Sequence, residues 1–439
     1  MAVMPNREEY NKETRYIEQK ITIYFSGLPP VEITRNDFLV DATILEETYS
    51  IGGSSFWGVT SNELSFSMYN DSGIFNPENT ESPYYGLIKK GVRVSTFIKP
   101  VESEIWDPVG MFYITDWITD TNNLIVEVTA NDRLYYVLNG ATPGMPVFRN
   151  ISFNDFITIY FSYFGYTVIV DESITTVLPY VYISDQDNRE FLTALLTSVL
   201  ADCFCDHEGN ITILSKTKKR TLTDTFTDND QIISVSLKQS ITTNFDSVVV
   251  TCNKGQESID QNLLSINDLN IVSGLNKLDK FQFSISPVLC VKSLRASCAE
   301  DIKIKSFTAN DSTISCELQS STNATANLDI NGTSLEIISS IIGESGNAPM
   351  NIESKFIQNE DIANTVKYYA EHYVNVNTPT LELKVRGNPE LKLGDMIMVD
   401  SSYYKVKYTG TIAKVQYDYQ GHLSCSLTLI NASLIKEVT

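Results

Sequence analysis

The closest grouping of potential metal ligands in the sequence is Cys203-Phe204-Cys205-Asp206-His207. If this segment is a strand, Cys203 and Cys205 face the same side. A structural zinc site is almost always four-coordinate, and the nearest other cysteine is Cys252. We therefore favour two small apolar residues in a strand beside a histidine in a turn. We expect neither a metal nor a cofactor.

Nucleophilic catalysis by a Ser–His–Asp arrangement would need one of the three histidines, His207, His372 or His422. The sequence has no Gly-x-Ser-x-Gly elbow that could present an activated serine. His372 falls on the polar side of a predicted helix, and His422 follows a glycine in a predicted hairpin turn, so we expect both at the surface. The sequence thus predicts no catalytic residue and no enzyme.

Two other segments superficially resemble ligand sites. The glycine-rich segment 52–58 lacks the Gly-Lys-Ser/Thr ending of a phosphate-binding loop, and no helix follows it, so a surface loop is the favoured interpretation. Glu102, Glu104 and Asp107 surround Trp106, as carboxylates surround the sugar in a glycosidase cleft. Acidic loop residues are usually solvated, but glycan binding or cleavage at Trp106 stays open as an alternative.

The composition limits the classes of function. A chain of 439 residues, of which 42% are hydrophobic, can fold into roughly two to four domains. Its formal net charge of -21 disfavours a sequence-reading nucleic-acid binder, but it suits a wall that DNA must slide past. The polar start of the chain and the lack of a run of roughly 18 apolar residues predict no secretory leader and no membrane span. We expect the seven cysteines to be reduced.

Short segments rich in Val, Ile, Thr, Tyr and Phe predict a mainly β fold. Leu64, Phe66 and Met68 alternate with polar residues, which is typical of a half-buried strand. Further strands are predicted nearby, at 92–98, 111–117 and 124–129. In all, about five strands with short turns between residues 21 and 137 indicate an antiparallel barrel or sandwich.

A small α/β region follows the breaker cluster 141–146. Ser152 can cap a helix together with Asp155, three residues on, and an aromatic stripe follows at helical spacing. Asp187 and Glu190 form the same device before a second apolar stripe. The predicted fold class is therefore mainly β with an α/β insertion.

Strand patterns return after residue 232, and Ser247 to Cys252 is the clearest of them. Residues 257–350 are rich in Ser, Thr and Asn, and they predict short strands with long polar loops. A third helix is predicted from Asn359. Strands follow it, at 381–385, 396–399, 403–408, 411–419 and 423–429.

The order of three segments carries a resemblance to a known family. The first runs from 110 to 134 and includes Gly110, Phe112, Asp116, Asp132 and Arg133. The second is Asp185-x-Asp187 leading into the second helix. The third runs from 385 to 399 and includes Gly387, Pro389, Gly394 and Asp395. Together they resemble the hub proteins of bacteriophage tails and baseplates, including tail-associated proteins of siphophages and the hub part of type VI secretion spikes.

The resemblance implies a homotrimer in which each protomer supplies two tube-like antiparallel β-barrels, so that three chains form a pseudo-six-fold ring continuing the tail tube. It implies a structural virion protein at the tail tip or baseplate, assembled in the bacterial host cytoplasm. The implied partners are tail tube, distal tail and spike or fibre proteins. Phage DNA would pass during ejection without sequence-specific binding, and no stable membrane insertion is implied. Many relatives carry a C-terminal peptidase or lysin, which we do not expect in a chain ending at Thr439.

The resemblance also predicts the domain organisation. Residues 1–20 would form an N-terminal arm, 21–140 the first tube-like barrel, 141–220 a small α/β domain, 221–256 the start of the second barrel, 257–350 a β-rich insertion or elaboration, and 351–439 a helix and the remainder of the second barrel. A distal tail or other baseplate ring component is the structural alternative. A glycan-binding or glycan-cleaving β protein is the alternative from another class.

Overall fold

The computed structural model describes residues 6–10, 12, 14–48, 58–120, 122–183, 186–228, 232–238, 246–297, 302–374, 380–403 and 405–435. The chain folds mainly into β-strands with short helices between them, as its sequence predicts. None of the helices in this part of the chain has the length and apolarity needed to cross a bilayer. Residues 52–57 of the glycine-rich segment and Asp185 lie outside the described residues.

The described residues of the N-terminal region form one short helix, α1 (Arg7–Tyr10), and seven strands. The strands are β1 (Ile17–Tyr24), β2 (Val31–Thr34), β3 (Leu39–Glu47), β4 (Glu63–Tyr69), β5 (Arg93–Pro100), β6 (Asp107–Asp120) and β7 (Ile125–Asn131). The sequence pattern predicts about five strands here. The number of strands is higher because β2 is very short and because β3 places Leu45 on its outer face and Glu46 on its core face, which breaks the alternation.

The middle region, which we call the α/β module, combines helices with short strands. Its elements are α2 (Arg133–Leu138), β8 (Phe148–Ser152), α3 (Phe153–Ser162), β9 (Val168–Val170), β10 (Val177–Val181), α4 (Asn188–Val199), β11 (Ala201–Cys205) and β12 (Ile211–Ser215). Both predicted caps are confirmed, because the Asp155 N–H donates to Ser152 Oγ at 3.1 Å and the Glu190 N–H donates to Asp187 Oδ1 at 2.8 Å.

The C-terminal half alternates long and short strands around one helix. Its elements are β13 (Leu222–Thr227), β14 (Ile232–Lys238), β15 (Ser247–Ile271), β16 (Gly274–Gln282), β17 (Val288–Ser297), β18 (Ile302–Ala309), β19 (Thr313–Ser320), β20 (Ala324–Ile342), β21 (Pro349–Glu353), α5 (Glu360–Tyr369) with a π-helical end (Ala370–Val374), β22 (Thr380–Val385), β23 (Met396–Ser401), β24 (Val406–Tyr419) and β25 (Leu423–Ile435). Asn359 caps α5, as predicted, through a 2.8 Å hydrogen bond from the Ile362 N–H.

The prediction of short strands and long loops for 257–350 is wrong. Strand β15 has 25 residues and β20 has 19, and they form an antiparallel ribbon interrupted by bulges. Much of this ribbon is solvated on both faces, so its sequence lacks the apolar and polar alternation by which strands are recognised.

One 13-stranded sheet contains strands from both ends of the chain. Its main path is β14-β22-β25-β24-β3-β4-β7-β6-β5-β1-β2, and β23 links β13 to β24 beside this path. Three clusters of buried side chains underlie the fold. The first packs against the large sheet, the second fills the α/β module together with α5 and the start of β15, and the third lies among β15 to β20.

A substitution at Phe112 tests the packing of the first cluster, which lies against the large sheet. Its side chain is 1% exposed on β6, whereas Ile118 on the same strand is 57% exposed. Replacing Phe112 with Ala should lower the free energy of unfolding by about 3–5 kcal/mol, because it removes a ring and leaves a cavity. The matched variant Ile118→Ala should change it by less than about 0.5 kcal/mol. Equal losses in denaturant unfolding would contradict the assigned orientation of β6.

Candidate functional site: the polar face of the large sheet

The two halves of the large sheet meet where β3 pairs with β24. The antiparallel pairing runs from Lys414 opposite Glu47 to Tyr419 opposite Ala42. Because side chains alternate along a strand, residues directly opposite each other on neighbouring strands share one face of the sheet. One face packs on the first core. The other forms a continuous surface across both halves, which we call the polar face.

Small hydroxyl side chains and carboxylates dominate the polar face. Between β14 and β6 the hydroxyl residues are Thr43, Ser65, Ser67, Thr129, Ser234, Ser236, Thr380, Ser424, Ser426 and Thr428. Among the described side chains of the same strands, the carboxylates are Asp41, Glu47, Glu63, Asp116, Asp120, Glu127, Glu382 and Asp418, and the lysines are Lys384 and Lys414. The surface is therefore hydrated and net negative, so it repels phosphate groups.

Polar contacts cross the joint on this face. Thr43 Oγ1 on β3 donates to Asp418 Oδ1 on β24 at 3.0 Å. The Lys414 ammonium pairs with the Glu47 carboxylate across the same two strands. These contacts fix the register of the joint from the solvent side, while the alternation of buried residues fixes it from the core side.

A buried ion pair lies under the joint. Glu46 of β3 faces the protein interior, and its Oε2 is 3.1 Å from Nε2 of His207, which lies in the turn between β11 and β12. Burial lowers the pKa of His207, but the attraction and the hydrogen bond of Glu46 outweigh this effect, so the pKa of His207 is raised. The α/β module is thus held to the joint by a pair that includes a titratable imidazole.

The first group of motif residues lies on β6. Gly110 is required because a Cβ there would lie 2.3 Å from the ring of Phe112. Phe112 points into the first core, whereas the Asp116 side chain is exposed on the polar face opposite Thr129. The motif therefore orients β6, with the aromatic ring inside and the carboxylate outside.

Asp132 and Arg133 begin helix α2. Asp132 is buried and caps the helix, accepting the Tyr135 N–H at 3.2 Å and the Asn62 N–H at 2.9 Å. Burial raises the pKa of Asp132 to about 6, although these hydrogen bonds oppose the shift. Arg133 Nε donates to the Tyr113 hydroxyl at 3.2 Å.

The second group of motif residues forms the turns before β23 and positions β24. Gly387 and Pro389 are buried, and Arg15 donates to the Gly387 carbonyl at 2.8 Å. Gly394 has a φ of +85°, which favours glycine, and its N–H donates to the Ile412 carbonyl at 2.8 Å. The Asp395 carbonyl accepts the Ile412 N–H at 2.8 Å. These bonds hold β24 immediately before its paired segment at the joint.

Other candidate residues from the sequence do not meet in a site. Cys203 and Cys205 are buried in the second core, while Phe204 between them belongs to the first. Within the described residues, no group of three or more His, Cys, Asp and Glu side chains could hold a metal ion. His372 and His422 are exposed, as predicted.

Trp106 makes contacts that compete with a sugar. The Lys20 ammonium lies 4.8 Å from the centre of its ring and the Lys99 ammonium 5.1 Å from it. Each lysine is also paired with a carboxylate, Lys20 with Glu32 and Lys99 with Glu18. Glu102 and Glu104 are exposed. The ring thus contacts two cations of its own chain.

Sequence reasoning missed the joint and the buried pair beneath it. Ala42 and Ile44 alternate with Asp41 and Thr43, which is a usable signal for a strand. No local signal predicts that its partner lies far along the chain, since Thr43 and Asp418 are 375 residues apart in sequence. The role of His207 was missed for the same reason.

Solved structures of tail proteins share this fold. The 43 kDa tail protein of prophage MuSo2 from Shewanella oneidensis aligns over 94% of this chain and 98% of its own length, with a TM-score of 0.54 and 11% sequence identity. The tail protein from Neisseria meningitidis MC58 aligns over 94% of this chain and 96% of its own, with a TM-score of 0.54 and 8% identity. No protein-family model matches the chain, and no curated protein matches it in sequence. The predicted resemblance to phage tail proteins is confirmed at the level of the fold.

The buried pair makes stability depend on pH. Because the folded-state pKa of His207 is raised, its contribution is fully present below the unfolded value of about 6.5 and is lost as pH rises through the folded value. His207→Gln should cost about 3 kcal/mol near pH ~5.5 and less at higher pH, since it leaves Glu46 buried without a cation. His422→Gln, at an exposed site, should leave the profile of unfolding free energy against pH unchanged. If His207→Gln lowered the free energy of unfolding by the same amount at every pH, the role of His207 as the titrating partner of Glu46 would be contradicted.

Proposed function

We propose that this chain is the structural hub at the tip of a phage tail, in which three copies form a ring that continues the tail tube. In this proposal each half of the large sheet belongs to one tube-like barrel, and the joint between β3 and β24 places the two barrels side by side. Three chains would then supply six similar units, which matches the pseudo-six-fold ring implied by the family resemblance. The fold shared with two phage tail proteins supports this assignment.

The polar face is the observation that carries the proposal. A wall along which DNA slides needs a continuous surface that does not bind phosphate, and the polar face runs uninterrupted through both halves of the sheet. Of its two described lysines, Lys414 is paired with Glu47. Lys384 is the other, but the eight described carboxylates between β14 and β6 outnumber the two lysines, so a channel lined by this face would repel DNA.

We infer that the hub is not an enzyme. Trp106, the centre of the glycan alternative, contacts two lysines of its own chain, and His207 is buried against Glu46. The chain would act through assembly: it would join the tail tube and distal tail protein to spike or fibre proteins. It would do so in the virion, after assembly in the host cytoplasm.

The number of copies of this chain in one assembly tests the proposed ring of three. Mass measurement of the purified full-length chain should give three times 49.2 kDa, and projections of the particle by electron microscopy should show a ring with an open channel. Six copies would favour the distal tail or another baseplate ring component. A single copy at all accessible concentrations would contradict the hub assignment.

The charge of the polar face tests the passage of DNA. The triple variant Ser65→Lys, Ser67→Lys and Thr129→Lys should retain a short DNA duplex, with an affinity that falls as salt rises, because the added ammonium groups displace counterions from the phosphates. The wild type should not retain it. A matched variant with Ser306→Lys, Thr308→Lys and Gln319→Lys, all at exposed positions among β18 and β19, controls for net charge. If both variants bound the duplex equally well, the proposed role of the polar face in the passage of DNA would be contradicted.

A further inference from the structure

A buried polar cluster lies between the large sheet and the α/β module. Asn62 immediately precedes β4 and is 3% exposed. Its side chain accepts the Glu47 N–H at 3.1 Å and donates to the Cys205 carbonyl at 3.0 Å. Its backbone N–H donates to the Asp132 carboxylate at 2.9 Å, and its carbonyl accepts the Asp132 N–H at 3.2 Å. We call these four residues the Asn62 junction, because one residue of the sheet holds the end of β3, the end of β11 and the cap of α2.

Asp132 is the acidic group of this junction, and it lacks a cation. The N–H groups of Asn62 and Tyr135 and the thiol of Cys205 donate to its carboxylate. In the described part of the chain no lysine, arginine or histidine forms an ion pair with Asp132. A buried carboxylate that is held only by neutral donors costs free energy in its charged form. The closed junction therefore favours the protonated acid.

The other titratable groups that face Asp132 are neutral near pH ~6. They are the thiols of Cys203 and Cys205 on β11 and the hydroxyl of Tyr166 before β9, and burial raises the pKa of each. The neighbouring Arg133 points to the ring of Tyr166, 5.7 Å from its centre. Burial raises the pKa of Asp132 itself from 3.8 to about 6. Asp132 is therefore the group on this side of the α/β module that changes charge in mildly acidic solution.

A second proton-binding group lies at the same interface. His207 follows Cys205 by two residues and is paired with Glu46 of the sheet. Three further charged groups act electrostatically with this imidazole: Asp206, Lys392 and Asp395. The α/β module thus supplies Asp132 and His207, and the sheet supplies their partners Asn62 and Glu46. Separation of the two parts would expose both titratable groups to water.

We propose that the Asn62 junction is a proton-dependent latch, which holds the α/β module closed on the large sheet while Asp132 is protonated and releases it more readily when Asp132 is ionised. Opening would part Asn62 from Asp132 and Cys205 and give the carboxylate to water. Because the pKa of Asp132 is higher in the closed state, closure is most favoured below the ordinary value of 3.8. This advantage is lost as the pH rises through about 6. The latch does not depend on the proposed ring.

Hydrogen exchange of the full-length chain tests the latch. After correction for intrinsic rates, the amides of residues 201–215 should show an opening equilibrium constant about 20-fold larger at pH ~6.5 than at pH ~4.5. The His207 pair changes little in this window, because its contribution is lost only above the ordinary pKa of about 6.5. The amides of β18 and β19, in the third cluster, provide the internal reference.

Three variants separate proton sensing from holding. Asp132→Asn keeps the shape of the side chain without its titration, so the 20-fold change (~20-fold, as above) should disappear. The matched control Asp116→Asn removes an exposed carboxylate of the polar face and should keep the change. Asn62→Ala removes the hydrogen bonds to Glu47 and Cys205 but leaves the carboxylate in place. It should increase opening at both pH values and retain the dependence on pH.

The outcomes decide the latch without touching the hub assignment. A wild type whose residues 201–215 exchange equally at both pH values would overturn it, and so would an Asp132→Asn variant that keeps the full dependence. If Asp132→Asn does not fold, the wild type and Asn62→Ala decide. A change confined to the α/β module in both proteins supports the latch. An equal change in the β18 and β19 amides would show loosening of the whole chain and would overturn it.

Discussion

The pairing of β3 with β24 is the constraint on which the rest of the structure depends. It joins segments from the two ends of a 439-residue chain and makes one sheet of two halves. The side-chain period of a strand is two, so a slip of one residue at this joint would bring Val415 and Tyr417 to the solvent and Gln416 into the core. The continuity of the polar face is therefore a consequence of this register and not of either half alone.

Contacts on several sides of the β3–β24 pairing hold this register in place. On the core side the buried Tyr417 hydroxyl donates to the Asn388 carbonyl at 3.1 Å, which ties β24 to the Gly387–Asp395 turns. Glu46, which pairs with Val415 in the joint, is bound to His207 of the α/β module. Strand β11, which leads to His207, sends Phe204 into the first core and Cys203 into the second. The α/β module is thus integral to the fold, because Glu46 connects it to the joint and Phe204 connects it to the first core.

The sequence predicts the features that depend on residues a few positions apart. It misses those that depend on partners far along the chain. The caps at Ser152, Asp187 and Asn359 need only residues three positions apart, and all three are found in the structure. The turns at Gly387 and Gly394 are equally local. The β3–β24 joint and the Glu46–His207 pair carry no local mark, since a strand's neighbours are chosen by the whole sheet. The β15–β20 ribbon was missed for another reason: with water on both faces, selection for alternating hydrophobicity is absent.

Charge sets the last constraint on assembly. Each copy carries a formal net charge of -21, so copies brought together repel one another, and the repulsion is strongest at low ionic strength. If the polar face lines a channel for DNA, as we propose, it has to remain acidic, and the chain cannot relieve this repulsion by adding lysines there.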